Sequence, residues 1–208
     1  MQTQMLVDEA VEALQSQIDD TTIIACSGGI DSTVAAVLAH RAVGSLLHCV
    51  YVDTGLMRKN ESDEVAHMFS DLGIPSSERQ PFPGPGLAVR VLGDITPDRV
   101  AACREACYIV ETRLQAAAAE GRCELPWQYF AALLPVRSVG VHGDARVHGE
   151  TVVVRAVTSL DGMSAKFSEI PHDLLAEIST EITNSLKGQV NRVVYDVTHK
   201  PPGTIEWE

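Results

Sequence analysis

The 208-residue sequence predicts an α/β protein, a doubly wound parallel sheet followed by a compact α+β domain of order βαββαβ. Three observations predict it. An apolar run, Thr21 to Cys26, passes through Ser27-Gly28-Gly29-Ile30-Asp31-Ser32 into an alanine-rich helical pattern, which reads as strand, tight loop and helix start. A second apolar run, Leu46 to Val52, ends at Asp53-Thr54-Gly55, as the second strand of a βαβ unit does. Beyond a Pro/Gly segment, Gln80 to Gly86, a different pattern begins and runs to the end.

Taken in order, Val7, Val11, Leu14 and Ile18 predict an amphipathic helix from about Met5 to Ile18, closed by Asp19-Asp20. After the glycine loop, Val34, Ala35, Val37 and Leu38 predict a buried helix ending before Gly44. Val65, Met68, Phe69 and Leu72 predict a third helix, stopped by Gly73 and Pro75. Two strands have then been used, too few to complete a doubly wound layer, so a segment is missing between Pro75 and Arg79. Domains are therefore expected at 1–78, incomplete, and 79–208.

The second domain opens with a short strand, Leu87 to Leu92. Thr96-Pro97 is a helix start, with Thr as cap and Pro in the first turn. Val100, Cys103, Cys107, Val110 and Leu114 mark one face of that helix. Strands follow at Leu133 to Val141 and Thr151 to Thr158, joined by a turn over His142 to Gly149. Pro171 to Lys187 is a helix with Leu174, Leu175, Ile178, Ile182 and Leu186 inward, and Arg192 to Val197 is the last strand. The helices are expected on one face of a mixed sheet.

A net charge of −12 argues against a nucleic-acid or anionic-membrane surface, and no apolar run approaches a bilayer span. The polar, acidic start resembles neither a signal nor a transit peptide, so residence in the cytoplasm is expected. Five cysteines without a CxxC pair are expected to be reduced core residues, and zinc is not indicated.

Chemistry concentrates in the glycine loop. Glycines let backbone approach an anion, and a helix start offers unpaired N–H groups and a positive dipole end. Ser27, Ser32 and Thr33 add hydroxyls. Asp31 inside an anion site makes sense with a divalent metal between it and the phosphate. A bare Ser-Gly-Gly would be only a turn, but all six positions stand between strand and helix. The loop lacks the Gly-Lys-Ser/Thr of a Walker A motif, and it lacks GxGxxG, so a dinucleotide-binding reading rests on Asp53 alone.

The loop resembles the SGGxDS pyrophosphate loop of the N-type ATP pyrophosphatases. With Tyr51-Val52-Asp53-Thr54-Gly55-Leu56-Met57-Arg58, Asn60-Glu61, Arg79-Gln80-Pro81-Phe82-Pro83-Gly84-Pro85-Gly86-Leu87, Leu134 to Val141, Gly143-Asp144-Ala145-Arg146 and Lys200-Pro201-Pro202-Gly203-Thr204-Ile205-Glu206-Trp207-Glu208, the chain is similar to GMP synthetase over nearly its whole length. The resemblance implies a truncated PP-loop domain of the adenine-nucleotide α-hydrolase type and a C-terminal dimerisation domain. It implies a ligase that joins ammonia to xanthosine 5′-monophosphate (XMP) at the expense of ATP and Mg2+, through an adenylylated intermediate.

By that resemblance Ser27, Gly28, Gly29, Ile30, Asp31, Ser32, Val52 and Asp53 bind ATP. Asp31 holds the metal and acts with Ser32 in catalysis, and Asp144, Arg146, Lys200, Thr204, Ile205 and Glu206 bind XMP. His142 and His148 are read as turn residues. A homodimer and a separate glutamine amidotransferase subunit are implied as partners, with neither nucleic acid nor membrane. The family's central stretch, with its GT-x-YPD and His-His-Asn-Val lid motifs, is absent. That absence predicts exposed sheet edges in the first domain, and it leaves a non-catalytic, dimerising, nucleotide-binding remnant as the alternative.

Overall fold

A computed structural model describes residues 2–27, 29–73, 76–78 and 86–208. Gly28, Pro75 and most of the Pro/Gly segment, 79–85, lie outside the described residues. The chain forms two units, Met1–Gly84 and Pro85–Glu208.

The first unit carries a parallel sheet of order β1-β2-β3, formed by Thr22–Cys26, Leu47–Tyr51 and Ser76–Glu78. The third strand was not expected from the sequence. Its three residues, Ser-Ser-Glu, have no apolar pattern, and only the pairing of Cys49, Val50 and Tyr51 with them reveals it. Helices α1 (Gln2–Gln17), α2 (Ile30–Val43) and α3 (Glu61–Asp71) accompany the sheet. Val7, Val11 and Leu14 on α1, with Ile18 just past its end, are half-buried, which is the stripe their spacing predicts. α2 ends where Gly44 adopts φ +58°, a left-handed conformation natural to glycine. Cys26, Ala36, Ala39, Leu47, Cys49, Tyr51, Val65 and Phe69 form the core. β1 is an edge strand among the described residues, and Ile23 on it is 70% exposed.

In the second unit α4 (Pro97–Ala119) begins as predicted: the Thr96 hydroxyl accepts the Arg99 amide at 3.3 Å, and Pro97 occupies the first turn. Nine of its side chains are buried, among them Cys103 and Cys107. β4 (Gln128–His142) and β5 (Ala145–Thr158) form a long antiparallel hairpin. Both strands run closer to the turn than the sequence pattern suggests, because the turn is only Gly143-Asp144. Gly143 at φ +60° supplies the left-handed first residue such a loop requires. Beyond the far edge of β5 lie the short β6 (Lys166–Phe167), antiparallel, and β7 (Val190–Tyr195), parallel. α5 (His172–Ser185) buries Leu174, Ile178 and Ile182, and leaves Leu175 half-buried.

The strand expected at Leu87 to Leu92 is instead a 3-10 turn, Gly86–Arg90, followed by one parallel bridge from Val91 to Leu133. In that register Leu87 to Arg90 would lie along Tyr129 to Ala132 of β4, and there the Ala131 carbonyl already accepts the Cys103 and Cys107 thiols of α4 at 3.8 and 3.1 Å. The second unit is thus αββ(β)αβ around a mixed sheet, with an opening turn where a strand was expected.

Candidate functional site

The glycine loop leads directly from β1 into α2. Gly29 caps the helix with extended backbone (φ −77°, ψ 161°) and no side-chain bond, so the first amides of α2 keep their donors open. Around that opening Ser27 and Ser32 hydroxyls stand 3.2 Å apart, and the Ser27 amide donates to Ser32 Oγ at 3.3 Å. Ser32 and Thr33 hydroxyls donate to the Gly29 carbonyl at 3.0 and 2.9 Å, which holds the loop against the helix. Asp31 is exposed in the first turn, and Ile30 is 83% exposed beside it. Open amides, a ring of hydroxyls and one solvent-facing carboxylate fit a polyphosphate with Mg2+, which is usually held by one or two carboxylates and phosphate oxygens. No group of three or more His, Cys, Asp or Glu that could hold a metal alone occurs among the described residues.

Val52 and Asp53 follow β2 in the same unit. Asp53 accepts the Gly55 amide on Oδ1 and the Ser62 hydroxyl on Oδ2, both at 2.7 Å, so it organises the turn that leads to α3. The Tyr51 hydroxyl stands 3.4 Å from Ser62 Oγ. Under the loop the Cys26 and Cys49 thiols lie in the core. Burial pushes Cys49 up to about 12, with help from the neighbouring Cys26, and burial raises Cys26 as well. Both are inert thiols at neutral pH.

In the second unit the tail folds back over the sheet. Arg155, fully buried in β5, donates to the carbonyls of Thr198 (2.5 Å), Thr204 (3.0 Å) and Ile205 (3.4 Å), and lies 3.3 Å from the Asp196 carboxylate. Trp207 Nε1 donates to the same Asp196 at 3.2 Å. Lys200 pairs with Ala165 in an isolated bridge, and its ammonium donates to the Gly162 carbonyl at 2.8 Å. Glu206 accepts Arg90 Nη2 (2.9 Å) and Gln128 Nε2 (2.8 Å) on Oε1, and Arg90 Nε (3.2 Å) on Oε2. Burial alone would lower the Arg90 guanidinium, but its bonds to Glu206 and the nearby Cys107 outweigh that and raise it.

The tail residues are each held to this unit by their own partners, Lys200 by Ala165 and Gly162, Thr204 and Ile205 by Arg155, and Glu206 by Arg90 and Gln128, whereas Asp144 and Arg146 stand apart from them. These two stand exposed at the tip of the β4-β5 hairpin. From Arg146 to the Thr158 end of β5, near which Lys200 is bridged, runs about 40 Å of strand. A polar cleft of about 380 Å³ lies beside the tip, lined by residues that include Gly143, Lys187 and Asn191 and by no tail residue.

Sequence reasoning missed Arg90, Gln128 and Arg155. The signal for Arg155 is present: one arginine in the run Val152-Val153-Val154-Arg155-Ala156-Val157 is a buried charge that needs a partner. Nothing local marks Gln128.

No helix among the described residues is long and apolar enough to cross a membrane. The profile of the GMP synthase C terminal domain matches residues 115–207. The chain is 36% identical to one subunit of the glutamine-hydrolyzing GMP synthase of Methanococcus maripaludis over 311 residues, covering 99% of each. It is likewise 36% identical to the corresponding subunit from Halobacterium salinarum, over 97% of this chain and 99% of the relative. The glutamine-hydrolyzing GMP synthase of Cytophaga hutchinsonii is 33% identical, over 97% of this chain and 61% of the relative. An NH3-dependent NAD synthetase from Campylobacter jejuni overlaps 57% of this chain and 51% of its own, at 14% identity with a TM-score of 0.34.

Proposed function

The chain belongs to the GMP synthase family, and on that premise we propose that it is the ATP-dependent subunit that converts XMP to GMP. The observation that carries the reading is the opening at the start of α2: open amides, the Ser27 and Ser32 hydroxyls and exposed Asp31. In the proposed reaction, O2 of the xanthine base attacks the α-phosphorus of ATP and pyrophosphate leaves. Ammonia then attacks C2, and AMP leaves with that oxygen. Backbone amides and hydroxyls at Ser27 to Ser32 hold the departing pyrophosphate, an electrostatic contribution that needs no acid or base from the protein. Asp31 would hold Mg2+, which neutralises phosphate charge. Val52 and Asp53 take the nucleoside end of ATP.

Lys200, Thr204, Ile205 and Glu206 form the XMP side of the site. Asp144 and Arg146 are assigned to it as well, and their distance from the tail along β5 supports a role at the tail of a second copy. The active form is accordingly a two-fold dimer of second units, each hairpin tip completing the partner's acceptor site. Ammonia comes from a separate glutamine amidotransferase subunit, in keeping with the archaeal relatives, which are each named as one subunit of a glutamine-hydrolyzing enzyme. The reaction is placed in the cytoplasm.

The 311-position alignments exceed the 208 residues of the chain, so part of each relative has no counterpart here. The exposed edge of β1 supports placing the missing part after β3, ahead of a second domain that begins near residue 79.

The test is AMP release by the purified chain with Mg-ATP and ammonium, with and without XMP. XMP-dependent release supports the ligase. A folded dimer that binds XMP and releases no AMP is instead a nucleotide-binding remnant.

A further inference from the structure

Glu206 is unusual in the tail because its carboxylate is almost fully used. Two carboxylate oxygens offer about four acceptor positions. Arg90 Nη2 and Gln128 Nε2 occupy those of Oε1, and Arg90 Nε takes one on Oε2. Arg90 is itself fixed: its guanidinium lies 4.2 Å from the centre of the Phe130 ring, and its Nη1 lies 4.0 Å from the Cys107 sulfur. Its carbonyl accepts the Cys103 thiol at 3.3 Å. The side chains of Arg90 and Glu206 are only 15% and 28% exposed, so solvent does little to loosen the fork.

We propose that Arg90 is a positioning residue of the acceptor site: its two-pronged grip, with Gln128 on Oε1, turns Glu206 so that one acceptor position on Oε2 meets a ring N–H of the purine base. This rests on the reading of Glu206 as an XMP contact. The guanidinium also cancels the charge of Glu206, which would otherwise oppose an anionic nucleotide in an acidic chain. Lysine could keep the charge but not the fork.

The experiment measures calorimetric binding of XMP and of ATP to the full chain, the Arg90→Lys and Arg90→Ala variants and Gln128→Ala. Arg90→Lys should weaken XMP roughly ten- to hundredfold and leave ATP affinity unchanged. Guanidinium ion should restore part of the XMP affinity of Arg90→Ala, a rescue that a purely structural role would not give. A folded Arg90→Lys that binds XMP like the parent overturns the inference. If neither Arg90 variant folds, Gln128→Ala decides: weakened XMP with unchanged ATP supports positioning of Glu206, and parental XMP affinity overturns it. If the unsubstituted chain binds no XMP, the functional reading falls, and this inference falls with it.

Discussion

At the scale of single residues, exposure and hydrogen bonding separate what should matter for chemistry from what should matter for folding. Asp31 is exposed and none of the loop's hydroxyl bonds depends on it, so Asp31→Ala should abolish XMP-dependent AMP release while shifting stability by less than about 0.5 kcal/mol. Paired activity and thermal-melt measurements check this, and a collapsed fold would refute the metal-site placement. Cys49 behaves in the opposite way. Its thiol ionises near 9.0 when unfolded and about 12 when folded, so deprotonation favours the unfolded chain. The stability that Cys49 contributes is intact below pH 9 and is lost as pH rises from about 9 to about 12. Denaturant melts across that range should show alkaline weakening that Cys49→Ala reduces. The glycine loop was legible in the sequence because six adjacent residues carry it. The Arg90–Glu206 contact was not: Glu206 stood out in the tail motif, but its partner lies 116 positions away and Arg90 is not conspicuous locally.

At the scale of elements, strong periodicity survived and weak periodicity did not. The five α-helices among the described residues were legible because each has an apolar face several turns long, or the cap at Thr96. β3 and β6, of three and two residues, were not, because segments that short owe their pairing to neighbours. The Leu87 to Leu92 run misled because the stretch of β4 it would lie along packs against α4, whose Cys103 and Cys107 thiols take the Ala131 carbonyl. Close packing at the hairpin supplies a further expectation. A Cβ at Gly149 would lie 3.0 Å from the Gln189 carbonyl oxygen and 3.1 Å from the Asn191 amide, both backbone atoms at the start of β7. Asn191 in turn donates to the Ser138 carbonyl at 2.7 Å, tying β7 across the hairpin. Gly149→Ala should therefore push β7 away and cost about 1–3 kcal/mol, read as a lower unfolding midpoint with an unchanged denaturant slope.

At the scale of the whole molecule, the separation of the hairpin tip from the tail makes dimer sharing testable by mixing. Arg146→Ala and Lys200→Ala should each lose XMP-dependent AMP release. Unfolded together in equal amounts and refolded, they should recover about a quarter of parental activity, since half the dimers then carry one intact site. No recovery, with heterodimers shown to form, would mean that both residues act within one chain or that Arg146 is outside the site. Membership of the GMP synthase family was legible from the motifs at both ends of the chain. A homodimer was implied there too, but the sharing of one site between two copies was not, because the order of motifs along a sequence says nothing of distance along a hairpin.

The grip of Arg155 has a consequence for how the tail can vary. It holds Thr198, Thr204 and Ile205 by their main-chain oxygens, which every amino acid possesses. The hold is therefore indifferent to what those positions display, while Asp196 must keep its carboxylate. Substitutions at 204 and 205 should thus accumulate without unseating the tail, making them natural places to redirect ligand preference by directed mutation. A library at those two positions should stay folded at a rate that a library at Arg155 would not approach.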